Sequence, residues 1–350
     1  MSDDDSTDIN EADESAAVGV KLGSTRTVFD ISDGRGGRER HLTLTCLATY
    51  EDAITGDERV LFGREAAIEY PDAVRFILRS GLPEDDESVA DAERFFEAIV
   101  DAHDVSAESA VVYAVPTIDN EAGVENLKSV IEGSSIGRGE TRCYPESLCG
   151  ALPAYGDGLD AIGEVFVSVN MGSTTLEACA YRRGEQLSPF STGSVTGNEV
   201  DRWIVAAIEE ESQDRVHVDR TTAREYKEKH ADVDDFEPFA DVVQQPGGGS
   251  HEFTVDRGVR EPIDRYIDDA VDAVANEFLP ALANDYTKPY QLALGRPIAV
   301  TGGMACIPGL TEEFEARLSA ELDRDVEVVS PDDPATAAAE GAARIAERLI

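Results

Sequence analysis

The sequence is poor in basic residues, cysteine and histidine, it lacks long apolar runs, and each shortage excludes a class of function. Lysine and arginine number 30 against 72 aspartates and glutamates, so no basic stripe could neutralise a phosphate backbone, and we expect no nucleic-acid partner. The five cysteines and five histidines are scattered without C-x-x-C spacing, which predicts neither a metal site nor a disulfide framework. Because no stretch reaches membrane-spanning length and the first residues are acidic, we expect no signal peptide and no direct membrane anchor.

The acidic excess gives a formal net charge of −42 at pH 7 and a pI near 4.2. At ordinary ionic strength such self-repulsion would destabilise a compact fold. In molar salt the Debye length falls to roughly 3 Å, and the same surface becomes tolerable and solubilising. The acids are spread along the whole sequence, which favours a protein of a cytoplasm rich in potassium chloride. The alternative, one acidic tail that binds a basic partner, does not account for acids elsewhere.

Length and hydrophobic content predict a globular protein with more than one core. The chain has 350 residues, of which 41% are hydrophobic, enough for at least two sizeable cores. Residues 1–15 differ from the rest, because they are acidic and polar without apolar periodicity, and we expect a disordered tail there.

The first half of the sequence contains several strand patterns. An apolar strand is predicted at 17–20, and a glycine-rich turn at 33–37 leads to a second strand at 41–49, so that the two form a β-hairpin. A buried strand capped by proline is predicted at 111–116, and the segment 121–132 has helical composition.

The second half repeats this design. A strand at 164–170 is followed by a glycine turn and a returning strand at 176–181. Recurrence of strand, glycine turn and strand predicts two lobes of related construction, a repeat in topology rather than in residues.

The remaining segments are mostly helical. Apolar spacing predicts helices at 199–211 and 261–284, and a last helix at 335–349. The stretch 230–257 carries two prolines and three consecutive glycines, which predicts a loop. A strand at 297–300 precedes the last glycine pair.

The glycine turns are the candidate sites of chemistry. A glycine followed by hydroxyl residues after a strand is, taken alone, more often an ordinary hairpin. Such turns nevertheless expose backbone N–H groups, which can hold phosphate oxygens without obstruction by side chains. The order of several motifs along the chain decides between these interpretations.

Seven segments follow one another in a recognisable order. They are V-x-L-G-S-T-R-T, V-V-Y-A-V-P, E-S-L-C-G-A-L-P-A-Y-G, V-N-M-G-S-T-T-L-E, G-N-E-V-D-R-W-I, T-A-R-E-Y-K-E-K and V-T-G-G-M-A-C-I-P-G-L. Over residues 18–350 this set resembles the actin-like family, most closely MreB-type filament proteins and the salactin- or volactin-like haloarchaeal actin homologues. The resemblance implies an α/β, actin-like (ribonuclease H-like) fold of two lobes with ATP or ADP in the cleft between them.

The resemblance also implies a domain organisation. Residues 16–158 would form the first lobe, with a small subdomain at about 41–70, and a C-terminal helix within 331–350 would complete it. Residues 159–330 would form the second lobe, with a small subdomain at about 200–258.

Roles for individual residues follow from the resemblance alone. Two phosphate loops, a segment that contacts ribose and base, and an adenosine loop are implied. The first phosphate loop comprises Gly23, Ser24, Thr25 and Thr27, and the second comprises Gly172, Ser173, Thr174 and Thr175. Lys227 and Glu228 belong to the segment that contacts ribose and base. The adenosine loop comprises Gly302, Gly303, Met304 and Ile307.

Glu146 stands where the family carries its water-positioning polar residue, and it is the candidate catalytic residue. The alternative is a structural acid at a helix N-terminus, where the helix dipole favours negative charge.

The sequence departs from the family pattern at two positions. Lys21 and Asn170 replace aspartates that organise the magnesium shell and the attacking water. A carboxylate accepts hydrogen bonds from metal-bound waters, whereas an ammonium repels the cation and an amide carries no charge. Lys21 could place its charge directly on the phosphates and partly substitute for Mg²⁺. We therefore expect ATP or ADP, with Mg²⁺ as a further cofactor, to bind at a site that includes Lys21 and Asn170, and we expect slow ATP hydrolysis. A non-hydrolysing binder is the alternative.

Three functions compete. The favoured one is a cytoskeletal protein of the cytoplasm whose own copies stack head-to-tail into a filament governed by ATP. A sugar or acetate kinase of the same superfamily would need a carboxylate base for its acceptor hydroxyl, and only Glu146 offers one. A chaperone ATPase would need a substrate-binding region after the second lobe, and the sequence shows none.

Overall fold

The computed structural model describes residues 16–32, 37–103, 105–117, 120–156, 159–244 and 250–350. The tail predicted over 1–15, most of the turn predicted at 33–37 and the proline-glycine stretch 245–249 lie outside the described residues.

The described part of the chain contains both strands and helices. The strands are β1 (Ala17–Leu22), β2 (Arg26–Ser32), β3 (Arg38–Leu44), β4 (Cys46–Glu51), β5 (Glu58–Phe62), β6 (Arg75–Phe76), β7 (Ala110–Val115), β8 (Thr141–Pro145), β9 (Val165–Met171), β10 (Leu176–Arg182), β11 (Glu185–Thr192), β12 (Phe239–Gln244), β13 (Ser250–Val255), β14 (Ile298–Thr301) and β15 (Val328–Val329). The helices are α1 (Gly63–Glu69), α2 (Asp86–Ala102), α3 (Glu121–Glu132), α4 (Glu146–Ala154), α5 (Gly197–Glu211), α6 (Arg220–His230), α7 (Arg260–Asp272), α8 (Leu279–Asp285), α9 (Thr287–Ala293), α10 (Leu310–Glu321) and α11 (Ala337–Ala346).

Two five-stranded sheets share one topology. The first has the order β3-β2-β1-β7-β8 and the second the order β11-β10-β9-β14-β15. In each, three consecutive antiparallel strands are extended by two parallel strands. The repeat in topology that the sequence predicts is therefore confirmed. Both sheets place a glycine turn after their central strand, β1 or β9, and these turns meet at the candidate site.

The central strands are covered on both faces, which explains their nearly continuous apolar sequences. Helix α11 packs directly on β1, where a Cβ at Gly19 would lie 2.0 Å from the carbonyl oxygen of Ala339. The same helix approaches α4, where a Cβ at Gly341 would lie 1.8 Å from the carbonyl oxygen of Cys149. These glycines allow backbone to touch backbone, so α11 belongs to the core beside the first sheet.

The strand predicted at 41–49 is wrong, because the chain changes sheets in its middle. Strand β3 ends at Leu44 in the first sheet, and β4 begins at Cys46 in a separate sheet of order β5-β4-β6. Between them Thr45 donates its N–H to the carbonyl of Thr25 and accepts from the N–H of Ile77. The hairpin partner of β3 is β2, which the sequence pattern did not identify.

The prediction that 230–257 is largely loop is wrong over two segments. Strands β12 and β13 pair in an antiparallel hairpin from Phe239 opposite Val255 to Gln244 opposite Ser250. Of the residues that suggested a loop, Pro238 immediately precedes β12, and the others lie outside the described residues.

The predicted helices at 121–132, 199–211, 261–284 and 335–349 are confirmed within a few residues. The third of these contains a π-helical stretch, Ala273–Phe278, between α7 and α8. Within the described part of the chain, no helix combines the length and apolar character that a bilayer crossing requires.

Candidate functional site

Two glycine turns face each other between the two five-stranded sheets. In the first, the N–H of Gly23 donates to the carbonyl of Arg26 over 3.1 Å, and in the second, the N–H of Gly172 donates to the carbonyl of Thr175 over 2.9 Å. The hydroxyls of Ser24 and Thr174 form a 3.1 Å hydrogen bond from one turn to the other. The two turns predicted to bind phosphate are thus in direct contact.

A cavity of about 300 Å³ opens beside this contact. Most of the residues assigned to the site by sequence line it. They are Lys21, Gly23, Ser24, Thr25, Glu146, Asn170, Gly172, Ser173, Thr174, Thr175, Lys227, Glu228, Gly303, Met304 and Ile307. The lining combines the glycine and hydroxyl residues of the two turns with apolar side chains, among them Met304 and Ile307.

The cavity lining has a charge balance opposite to that of the whole chain. It carries four bases and three acids, a net charge of +1, in a protein of net charge −42. The bases are Lys21, Arg26, Arg224 and Lys227, and the acids are Glu146, Asp201 and Glu228. A positive cavity in a strongly negative molecule attracts an anion locally.

Two of the predicted residues lie behind the cavity wall. Thr27 is fully buried in β2, where its hydroxyl bonds that of Thr45 over 2.9 Å. Gly302 has a φ of 95°, and a Cβ there would lie 2.5 Å from the carbonyl oxygen of Met171. These positions hold the loops in place instead of facing the cavity.

Glu146 links the central strands of both sheets. It is the first residue of α4, and its Oε1 lies 2.5 Å from Nζ of Lys21 on β1. The same oxygen accepts a 3.0 Å hydrogen bond from Nδ2 of Asn170 on β9. The side chains of Lys21 and Glu146 are only 14% and 12% exposed, so this ion pair is little screened by solvent. The two residues that depart from the family pattern therefore hold the candidate catalytic carboxylate together.

Lys227 is buried against the second turn. Its Nζ lies 2.6 Å from Oδ1 of Asp201 and donates to the carbonyl of Gly197 over 2.8 Å. Burial lowers the pKa of Lys227, while the charge of Asp201 opposes that shift. Because Gly197 donates its N–H to the carbonyl of Gly172 over 3.0 Å, Lys227 ties α6 to α5 and to the turn.

Two contacts beside the cavity join α6 to the first half of the chain. Arg26 of β2 donates to Glu228 of α6 over 2.6 Å. One turn of α6 earlier, the guanidinium of Arg224 lies 5.2 Å from the ring centroid of Phe76 on β6. Helix α6 thus contacts elements of the first half of the chain at two points.

Glu177 was missed by sequence reasoning. It lies fully buried in β10, where Oε2 accepts from the N–H of Thr117 over 2.9 Å and Oε1 accepts from the hydroxyl of Thr175 over 3.2 Å. Burial, reinforced by the charge of Glu146, raises the pKa of Glu177 to about 7. The signal available in the sequence was a lone acid within an otherwise apolar strand, L-E-A-C-A.

The residues at this site do not fit the magnesium shell that the resemblance implies. Each acid of the lining is paired with a base: Glu146 with Lys21, Asp201 with Lys227, and Glu228 with Arg26. In the described ranges no three or more His, Cys, Asp or Glu side chains form a group that could hold a metal ion. Mg²⁺ prefers near-octahedral oxygen ligands, including one or two carboxylates.

Comparisons with known proteins identify the family of this chain. The family model described as Salactin matches residues 15–350. The chain is 58% identical over 343 residues to Salactin of Halobacterium salinarum, which covers 98% of this chain and 94% of that protein. These matches confirm the resemblance to haloarchaeal actin homologues.

Solved structures with the same fold include MreB5 and MamK. The crystal structure of MreB5 of Spiroplasma citri bound to ADP gives a TM-score of 0.72 at 19% identity, over 93% of this chain and 94% of that chain. The MamK double helical filament gives a TM-score of 0.74 at 20% identity, over 94% and 98% of the two chains. At such identities the likeness establishes the fold, which is α/β, two-lobed and actin-like, as the sequence predicts.

Proposed function

The chain belongs to the Salactin family, and from this premise we propose that it is a cytoskeletal protein that polymerises head-to-tail into dynamic filaments governed by ATP. Its own copies are the proposed partner, and a halophilic cytoplasm is the proposed setting because of the net charge of −42. MamK, a structural relative, forms a double helical filament, and MreB5 of Spiroplasma citri binds ADP and AMPPNP. The two lobes would follow the boundaries that the sequence suggests, 16–158 with the terminal helix and 159–330.

The observation that carries the proposal is the hydrogen bond between Ser24 and Thr174 beside a positive cavity. Two turns from opposite sheets present backbone N–H groups and hydroxyls to the same space, which suits a chain of phosphates. The purine would lie toward Gly303, Met304 and Ile307, where glycine permits close approach and the other two provide apolar contact.

Four residues of the site receive supporting roles in this proposal. Lys227 holds the second turn through Asp201 and Gly197 instead of contacting ribose directly. Glu228 pairs with Arg26 beside the cavity. Gly302 and Thr27 anchor the adenosine loop and the first phosphate loop from behind.

Hydrolysis, if it occurs at this site, would be slow. Glu146 is the carboxylate placed to orient a water, but Lys21 and Asn170 both bond its Oε1. A general base must be free to accept a proton, and these two contacts occupy one of the two carboxylate oxygens of Glu146. The same pairing favours a second candidate function, a nucleotide-binding scaffold that does not hydrolyse. It disfavours a sugar or acetate kinase, since the other acids of the lining are paired as well.

Sedimentation tests the proposal. The protein is centrifuged in molar potassium chloride with ATP, with ADP and without nucleotide, and the pellets are imaged by electron microscopy. We expect filaments with ATP and fewer or none in the other two conditions. A protein that stays in the supernatant as monomers in all three contradicts the filament proposal, and phosphate released in the same tubes separates a slow ATPase from a scaffold.

A further inference from the structure

Lys21 places a fixed positive charge beside the two turns. It lies on β1, two residues before Gly23, just as Asn170 lies on β9 two residues before Gly172. Its side chain passes over the first turn, because its Cε would be 3.4 Å from a Cβ built on Gly23. The ammonium then reaches Glu146 at the base of the cavity.

The other bases of the lining have different tasks. Lys227 is buried against Asp201, Arg26 bonds Glu228, and Arg224 lies over Phe76. Of the four basic residues that line the cavity, Lys21 is the one on a central strand, β1. Its ammonium contacts Glu146, which also bonds Asn170 on the other central strand, β9. Among the residues that the structure describes, Glu146 is the one acidic partner of Lys21, and a phosphate oxygen could compete for the same ammonium.

A divalent cation at this position would meet an unfavourable environment. The nearby carboxylate is already neutralised by Lys21, and Asn170 contributes an amide in place of a second carboxylate. Bringing Mg²⁺ next to a buried ammonium adds like-charge repulsion in a region of low dielectric. Lysine, a compact point charge on a flexible stem, can instead bind phosphate oxygens directly.

We infer that the Lys21 ammonium replaces the divalent cation of this site, so that ATP and ADP bind without Mg²⁺. On binding, Lys21 exchanges Glu146 for a phosphate oxygen, and Asn170 keeps Glu146 in position. This inference rests on the proposed nucleotide binding and specifies the cation requirement of that same site.

Titration calorimetry of the full chain in molar potassium chloride, with ATP or ADP and either MgCl₂ or EDTA, tests the inference. We expect the wild-type Kd to change by less than about threefold when EDTA replaces MgCl₂, which is under 1 kcal/mol. Lys21→Met should weaken binding about ten- to hundredfold in both buffers, because a charge-assisted hydrogen bond to phosphate is lost. Lys21→Asp should bind weakly in EDTA and regain affinity when MgCl₂ is added.

Two further variants keep the test independent of folding. Lys21→Met leaves Glu146 buried and unpaired, so Lys21→Met combined with Glu146→Gln removes both charges and should fold normally while binding as weakly as the single variant. Lys128→Met removes an exposed lysine of α3 and should leave Kd unchanged.

The outcomes separate the inference from the proposed function. A wild-type Kd that rises tenfold or more in EDTA, or a double variant that binds as tightly as Lys128→Met, overturns the role of Lys21. Wild-type protein that binds neither ATP nor ADP in either buffer overturns nucleotide binding itself.

Discussion

Arg26 and Glu228, 202 residues apart, form a 2.6 Å ion pair that joins β2 to α6 beside the cavity. Both side chains are partly exposed, at 34% and 40%, so the pair is worth only about 0.2–1 kcal/mol. Its position matters more than its strength, because both residues line the cavity that we propose for the nucleotide.

We expect Arg26→Gln and Glu228→Gln each to accelerate ADP release by up to about fivefold, the rate equivalent of 1 kcal/mol. Stopped-flow displacement of a fluorescent ADP analogue measures the rate. Arg182→Gln, which removes an exposed pair with Glu185, is the matched control and should leave release unchanged. The charge-reversed pair Arg26→Glu with Glu228→Arg should restore the slow rate; a double variant as fast as the single ones would show that the pair does not slow ADP release.

The buried pair of Lys227 and Asp201 predicts an asymmetric response to mutation. Asp201→Ala leaves an ammonium buried without its counter-charge, and we expect it to lower the free energy of unfolding by about 3–5 kcal/mol. Asp201→Leu combined with Lys227→Met removes both charges and should recover most of that loss. Urea titrations in molar potassium chloride give the values, with Arg202→Gln, an exposed residue of the same helix as Asp201, as control. Equal losses in the single and double variants would contradict this account.

The adjacent residues Gly302 and Gly303 are predicted to differ in their tolerance of a side chain. Gly302 has a φ of 95° and no room for a Cβ, whereas a Cβ at Gly303 meets no atom within 4 Å. Gly302→Ala should therefore lower the free energy of unfolding by more than about 1 kcal/mol, because strain and overpacking add. Gly303→Ala should fold with unchanged stability. Thermal unfolding of the two variants side by side is the measurement, and similar Tm values for both would refute the described loop geometry.

Glu177 predicts a dependence of stability on pH. Its pKa is raised from 4.5 to about 7 in the folded protein, so between these values the folded state binds more protons than the unfolded state. The contribution of Glu177 to the free energy of unfolding is therefore fully present below pH 4.5. It falls by about 3 kcal/mol as the pH rises to about 7, and above that pH it is constant.

Other carboxylates titrate in the same range, so the comparison with Glu177→Gln isolates the effect. We expect this variant to be more stable than the wild type above pH 7 and to lose the advantage as the pH falls toward 5. Glu185→Gln, exposed on the neighbouring strand β11, should follow the wild-type curve. Wild-type and Glu177→Gln curves that run parallel across this range would disprove the raised pKa.

Local signals in the sequence predicted much of the fold. The helix at 121–132 and the strands that became β7, β9 and β14 have apolar patterns whose periods match their structures, so composition and spacing were sufficient. The repeat of strand and glycine turn predicted two sheets of one topology. The break at Thr45 could not be predicted, because it depends on hydrogen bonds to Thr25 and Ile77, which only the folded chain brings near.

The candidate site could likewise be predicted where local sequence motifs define it, but not where it depends on contacts between distant residues. The glycine and hydroxyl turns could be predicted from their motifs, since backbone N–H groups line such turns whatever surrounds them. The partners of Lys21 and Lys227 could not, because Glu146 and Asp201 are brought to them by packing across 125 and 26 positions of sequence. Glu177 was visible as a single acid in an apolar strand, but its link to Thr117 arises only where the two sheets meet.

The packing of α11 on β1 has a consequence for folding during translation. Arg40, on the third strand of the first sheet, bonds Thr336 and Glu340, which a ribosome adds 296 and 300 residues later. The second sheet is synthesised after β3 and before α11. It can therefore fold before the helix that covers β1 has been made. A nascent chain therefore lacks the helix that covers β1, the strand that leads into the first turn, until its last residues have been synthesised.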